Sequence, residues 1–124
     1  MTEKKSATTV YRKVWLPTEI REAINRYCEI NGLQPSPLAG LVIEEIVADP
    51  TAFEDSAVPP AGPNYISVYV GTELWSEGVK VAHSYGVSLG AMIRVGLARR
   101  LAEQGIPWDV TTVRPRNSRI PIRE

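Results

Sequence analysis

Six side chains able to donate, accept or stack fall into two short alternating runs, Tyr11, Lys13 and Trp15 in one and Tyr65, Ser67 and Tyr69 in the other. A lysine ammonium offers donors only, hydroxyls offer both a donor and an acceptor, and aromatic rings present flat apolar faces. A spacing of two is the period of a β-strand, so each trio projects from one face of a strand. This is the chemistry of a recognition surface. Aromatics on a strand also serve as cross-strand packing pairs, each contributing about 0.2–1 kcal/mol. Four rings with one lysine suit a protein partner as well. Arg12 sits between the alternating positions and is ambiguous: it either snorkels from an inward position toward solvent or reports a local bulge.

Bond-making chemistry finds no comparable cluster. His83 stands alone between Ala82 and Ser84, and Cys28 lies far off on an apolar stripe. Paired metal ligands, a nucleophile elbow and a phosphate-cradling glycine loop are not evident. Glu44 and Glu45 are expected on a solvated helix face. The chain is expected to be a non-enzyme with no cofactor and no metal.

The elements that position the two trios follow from pattern. Thr8 to Leu16 is β-branched and aromatic, hence a strand, with Val10, Val14 and Leu16 on its other face. Thr18 is expected to cap a helix whose stripe is Ile20, Ala23, Ile24, Tyr27 and Cys28, closed by Gly32. Gln34 or Ser36 caps a second helix with apolar face Leu38, Leu41, Val42, Ile46 and Val47, ended by Asp49-Pro50. Ile66, Val68 and Val70 alternate with the second trio. Gly71-Thr72 then starts a helix bearing Leu74, Trp75, Val79 and Ala82 that ends at Gly86. Ser88 caps the last helix, with Leu89, Met92, Ile93, Leu97 and Leu101 inward and Arg94 and Arg100 outward. Gly105-Ile106-Pro107 stops it, and Trp108 to Val113 are expected as an extended segment.

This order is stated twice. At an offset of 54 residues, Thr18, Glu19 and Gly32 meet Thr72, Glu73 and Gly86, and most apolar positions match in kind. Two units too small to bury their own apolar faces form one core by packing on each other. The expected division is an N-terminal arm at 1–7, a first unit at 8–48, an acidic, proline-rich linker at 49–63, a second unit at 64–105 and a basic tail at 106–124. Fifteen linker residues reach about 50 Å when extended, enough to return the chain to the start of the second unit.

The 44% hydrophobic content of the 124 residues is ordinary for one globular domain. Net charge is zero, but residues 1–63 carry six Lys/Arg against nine Asp/Glu and residues 64–124 carry eight against five. Arg114, Arg116, Arg119 and Arg123 crowd the last eleven residues, compatible with a tail that touches phosphate or one that is merely solvated. A single cysteine fits a reducing compartment, and no apolar run approaches the ~18 residues of a membrane span. A cytoplasmic protein without membrane contact is expected.

Gly86-Val-Ser-Leu-Gly-Ala-Met-Ile-Arg-Val-Gly-Leu97 resembles the turn and second-helix signature of the ribbon-helix-helix (Arc/MetJ-type) superfamily, and Leu16-Pro-Thr-Glu-Ile20 resembles its strand-to-helix junction. The resemblance covers about 80 residues in two copies and leaves out the arms, linker and tail. It implies a mostly helical α+β fold, with tandem units forming an intramolecular pseudo-dimer of four helices and one two-stranded antiparallel ribbon. It further implies sequence-specific binding of double-stranded DNA, as a transcriptional repressor or as an accessory factor in plasmid conjugation and relaxosome assembly.

A two-stranded ribbon fits the major groove, where Lys13 could donate to guanine and the rings could touch thymine methyls. Base reading is thus expected of Tyr11, Lys13, Trp15, Tyr65, Ser67 and Tyr69. Because the strands differ, the site read is expected to be asymmetric. Phosphate contacts are expected of Arg12, of Ser36 and Ser88 at second-helix N-termini, with Gln34 as an alternate to Ser36, and of Arg114, Arg116 and Arg119. Plain helix capping explains the serines equally well. The alternative is a protein-interaction module, such as an antitoxin gripping a toxin, or a partner of a relaxase, through its tail or aromatic face. A monomer in solution is expected, with further association on DNA left open.

Overall fold

Both period-two stretches are strands. The computed structural model describes residues 9–106 and 119–123, in which β1 spans Thr9–Leu16 and β2 spans Asn64–Gly71. They pair antiparallel, from Thr9 opposite Gly71 to Leu16 opposite Asn64, with Lys13 opposite Ser67. A two-stranded ribbon is marginal alone in water and needs one face covered. Val14, Leu16, Ile66, Val68 and Val70 supply that face and are buried, while Tyr11, Trp15, Tyr65 and Tyr69 point to solvent. The strand parity read from the sequence holds.

Four helices cover the inner face: α1 (Thr18–Asn31), α2 (Pro35–Ala48), α3 (Thr72–Ser84) and α4 (Leu89–Glu103), giving a mostly helical α+β chain. Gly32 after α1 and Gly86 after α3 have φ of 66° and 75°. Glycine takes that left-handed turn without a Cβ penalty, so both helices stop where the sequence placed a stop. The α1 stripe and the five expected inner residues of α4 are buried. Packing crosses between halves: α2 lies on β2 and α3, α4 lies on β1 and α1, and α2 lies on α4. At the α2–α4 crossing, a Cβ on Gly96 would fall well inside contact with Val42 Cγ1 and 3.2 Å from Phe53 Cε2.

Several local expectations are corrected. Pro17, extended at φ −61° and ψ 152°, takes the capping position of α1, and Thr18 is already helical. The Thr18 hydroxyl instead accepts from Asn64 Nδ2 at 2.7 Å, tying the end of the linker to the start of α1. On α2, Ala39 and Ile43 are buried, Leu41 is exposed and Val47 is half-buried. The reason is geometric: α2 packs on both α4 and the β2–α3 half, so it needs two buried faces where one stripe was expected. Arg94 and Arg100 are half-buried, because each bonds across α4 to another element.

The 49–63 stretch is more than a tether. Pro50–Phe53 form a 3-10 turn, and Phe53 is 1% exposed and belongs to the core. Residues 119–123 are not a free arm either. Arg119 bridges antiparallel to Ala57, Ile120 N–H donates to Ser56 O at 3.0 Å and Asp55 N–H donates to Ile120 O at 2.7 Å. Ile120 is fully buried. The expected extended segment from Trp108 to Val113 lies outside the described residues.

Candidate functional site

The outer ribbon face gathers all six expected base-reading residues. Cross-strand register puts Tyr11 opposite Tyr69 and Trp15 opposite Tyr65. The ring centroids of these pairs are 4.9 Å and 5.0 Å apart, the first pair tilted by 41° and the second edge-to-face at 61°, so four aromatics stand as two contacting pairs at the two ends of the ribbon. Tyr11 and Trp15 are each 42% exposed, Tyr65 40% and Tyr69 59%. Packing pairs and solvent-facing ring surface coexist here: each ring touches its cross-strand partner and still stands exposed.

Lys13 and Ser67 occupy the middle and lean to opposite ends. The Lys13 ammonium lies 4.6 Å from the Tyr65 ring centroid and 5.9 Å from that of Trp15. A cation over an aromatic face is held by the ring quadrupole, worth about 0.5–1 kcal/mol when exposed. The half-buried Ser67 hydroxyl shares a hydrogen bond with the Tyr11 hydroxyl at 3.4 Å. One end of the face is cationic and the other carries hydroxyls.

Arg12 lies on the inward-facing series but escapes burial. Its guanidinium bonds the Tyr11 carbonyl at 2.9 Å and stands 5.4 Å from the Trp75 ring centroid, exposed at the ribbon margin. It snorkels, and the uninterrupted β1–β2 register leaves no bulge there.

The second-helix N-termini differ from each other. Ser88 caps α4, its hydroxyl accepting from Ala91 N–H at 3.0 Å. At α2 the capping position is Gln34, without a side-chain bond, and Pro35 follows. Ser36, half-buried, has its hydroxyl accepting from the Tyr69 N–H at 3.3 Å, which ties α2 to the ribbon.

Arg119 is engaged with the linker. Its guanidinium donates to Asp55 O at 2.6 Å and lies 3.8 Å from the Asp55 carboxylate, both groups being exposed. Arg114 and Arg116 lie outside the described residues.

Two arginines were not expected at the site from the sequence, Arg21 beside the ribbon and Arg94 against the linker. Arg21, one turn into α1, donates from Nε to Tyr65 O at 3.0 Å and bonds the Asn25 side chain, so it flanks the cationic end of the ribbon. Arg94 donates from Nε to Pro59 O at 2.7 Å. A Cβ placed on Gly90 would stand 3.8 Å from Arg94 Nη1 and 3.9 Å from Ser88 Oγ, so Arg94 reaches back toward the positive end of its own helix. Loss of hydration on burial lowers its pKa below the ordinary guanidinium value. The available signal was the i, i+4 spacing of Gly90 and Arg94, a glycine leaving room for a long side chain one turn on.

Elsewhere, burial raises the Cys28 thiol pKa, with Arg21 pulling weakly the other way. A protonated thiol is a poor nucleophile. No group of three or more potential metal ligands occurs among the described residues. No described helix is long and apolar enough to cross a membrane. Comparison with protein-family models, with curated proteins and with solved structures returns no match.

Proposed function

We propose that this chain is a sequence-specific double-stranded DNA-binding protein that lays its β1–β2 ribbon in the major groove, as a tandem ribbon-helix-helix pseudo-dimer. The observation that carries the reading is the ribbon register. Lys13 pairs with Ser67, the residue 54 positions on, which is its own counterpart in the sequence repeat. With that pair at the centre, Tyr11–Tyr69 is the counterpart of Tyr65–Trp15. That relation is the one expected when two equivalent strands meet about a two-fold axis. The crossed packing of α2 on β2 and of α4 on β1 supports the same relation. A strand pair presenting a lysine, hydroxyls and rings on its solvent face carries the donors, acceptors and apolar contacts that base edges recognise.

Repression and an accessory role in conjugative DNA processing are both compatible with this chemistry. The second reading is a protein-interaction module, with a toxin or a relaxase as possible partners. It is favoured by the aromatic character of the face, where four rings surround one ammonium.

Salt titration separates the two. Groove binding that neutralises phosphates weakens steeply with salt, by about 0.9 in log K per log salt for each contact. Lys13→Ala and Tyr69→Ala are expected to weaken binding to a selected duplex while leaving the melting temperature nearly unchanged, since both side chains face solvent. Val68→Ala, fully buried, is expected to lower stability by about 1–3 kcal/mol. Binding to duplex DNA that is weak and insensitive to salt removes the DNA reading in favour of the interaction module.

A further inference from the structure

The ribbon face is symmetric in outline and unequal in chemistry. Under the relation that pairs each residue with its counterpart 54 positions on, Tyr11 matches Tyr65, but Lys13 meets Ser67 and Trp15 meets Tyr69. Both differences place the more distinctive group on β1, and tertiary structure gathers them at one end. The Lys13 ammonium leans onto Tyr65, 4.6 Å from the ring centroid, and so joins the edge-to-face Trp15–Tyr65 pair. At the other end Ser67 bonds Tyr11, leaving hydroxyls and the 59%-exposed Tyr69 ring. Arg21 adds a second cation beside Tyr65 at the Lys13 end.

We infer that Lys13 and Ser67 set the orientation of this protein on its DNA: the Trp15–Tyr65 end takes the half-site that offers guanine, and the Tyr11–Tyr69 end takes a half-site read by hydroxyls and ring contact. The inference rests on the DNA reading above and goes beyond it, assigning the half-sites to ends of the ribbon and the choice to one residue pair. The chemistry is direct. An ammonium only donates, and among base edges guanine presents two acceptors in the major groove, O6 and N7. A serine hydroxyl both donates and accepts, so it selects weakly among bases and leaves thymine methyls to the neighbouring rings. With Lys13 at the centre of the register, a small lean decides which half it serves. The ring pairs at the two ends have nearly the same spacing, 4.9 Å and 5.0 Å, so spacing alone does not choose between the halves.

The experiment is selection from a randomised duplex library by the full-length protein, by Ser67→Lys and by Lys13→Ser, with melting temperatures recorded alongside. The wild type is expected to enrich a non-palindromic site with guanine confined to one half. Ser67→Lys restores equality by adding a cation, and its enriched site is expected to carry guanine in both halves. Lys13→Ser restores equality by removing one. Its enriched site is expected to lose the guanine, and its affinity for the wild-type site to fall about 5- to 100-fold. A Ser67→Lys protein that enriches the same one-sided site, or a Lys13→Ser protein that keeps the same guanine, overturns the orientation rule and leaves the DNA reading standing. If the wild type itself enriches no duplex sequence and is retained independently of salt, the DNA reading falls and the orientation rule with it.

Discussion

Two tyrosines show how much environment decides for a single side chain. Tyr69 is 59% exposed on the ribbon, where its hydroxyl is open to a partner. Tyr85, directly after α3, is 5% exposed and donates its hydroxyl to Glu54 Oε2 at 2.6 Å. Arg123 lies over its ring, 5.2 Å from the centroid, and bonds Ser84 Oγ at 3.0 Å. Burial raises the Tyr85 pKa above its ordinary value, and the Glu54 bond raises it further, while Arg123 opposes. The folded chain thus holds the phenol neutral at a pH where the unfolded chain ionises it. That contribution is intact below about pH 10, the unfolded value, and is lost as pH climbs through the raised folded value. Tyr85→Phe is therefore expected to cost about 1–3 kcal/mol at neutral pH through the lost bond to a carboxylate. It is also expected to flatten the fall of melting temperature above pH 10. Equal alkaline slopes for the two proteins would sink this account.

At the scale of elements, the helices are set less by local propensity than by what they must pack against. α2 and α4 approach closely because Gly96 presents no side chain where Val42 and Phe53 come in. Phe53 sits in a 3-10 turn of the linker, and Arg99 covers its outer face, 4.9 Å from the centroid. The same neighbourhood holds the Arg100–Glu45 ion pair, with Arg100 also reaching the Tyr27 hydroxyl at 3.4 Å, so α4 is joined to both α1 and α2. Gly96→Ala replaces a poor helix former with a good one, and in an exposed helix it would stabilise. Here the methyl group must displace Val42, and a loss of about 1–3 kcal/mol is expected by denaturant unfolding. Unchanged or higher stability would mean that the crossing relaxes freely and that the close approach does not constrain it.

At the scale of the molecule, the buried residues before and after the linker form one cluster. β1 obtains its ladder partner from β2, and the buried side chains of α2 rest on β2 and α3 as well as on α4. Residues 119–123 close over the linker through Ile120, so the chain's far end also contributes to the shared interior. A fragment of residues 1–58 exposes the inward face of β1 and both buried faces of α2. It is expected to be unfolded or to self-associate in sedimentation and circular dichroism. A folded monomeric fragment would contradict the shared core.

Much of this was legible along the chain because it follows from local periodicity. Alternation in Tyr65–Val70 assigns each side chain to a face whatever the strand pairs with, and glycines at 32 and 86 stop helices by backbone sterics alone. The six-residue ribbon face and the cap at Ser88 were readable for that reason. What depends on contacts between distant segments was not. Leu41 is exposed and Ile43 buried because α2 serves two neighbours, Thr18 yields the capping position to Pro17 and its hydroxyl accepts from Asn64 instead, and Phe53 and Ile120 are core residues only once the helices bring their seats into being. The lean of Lys13 toward Tyr65 belongs to the same class. Periodicity decides which face a side chain takes, and only tertiary packing decides what stands beside it there.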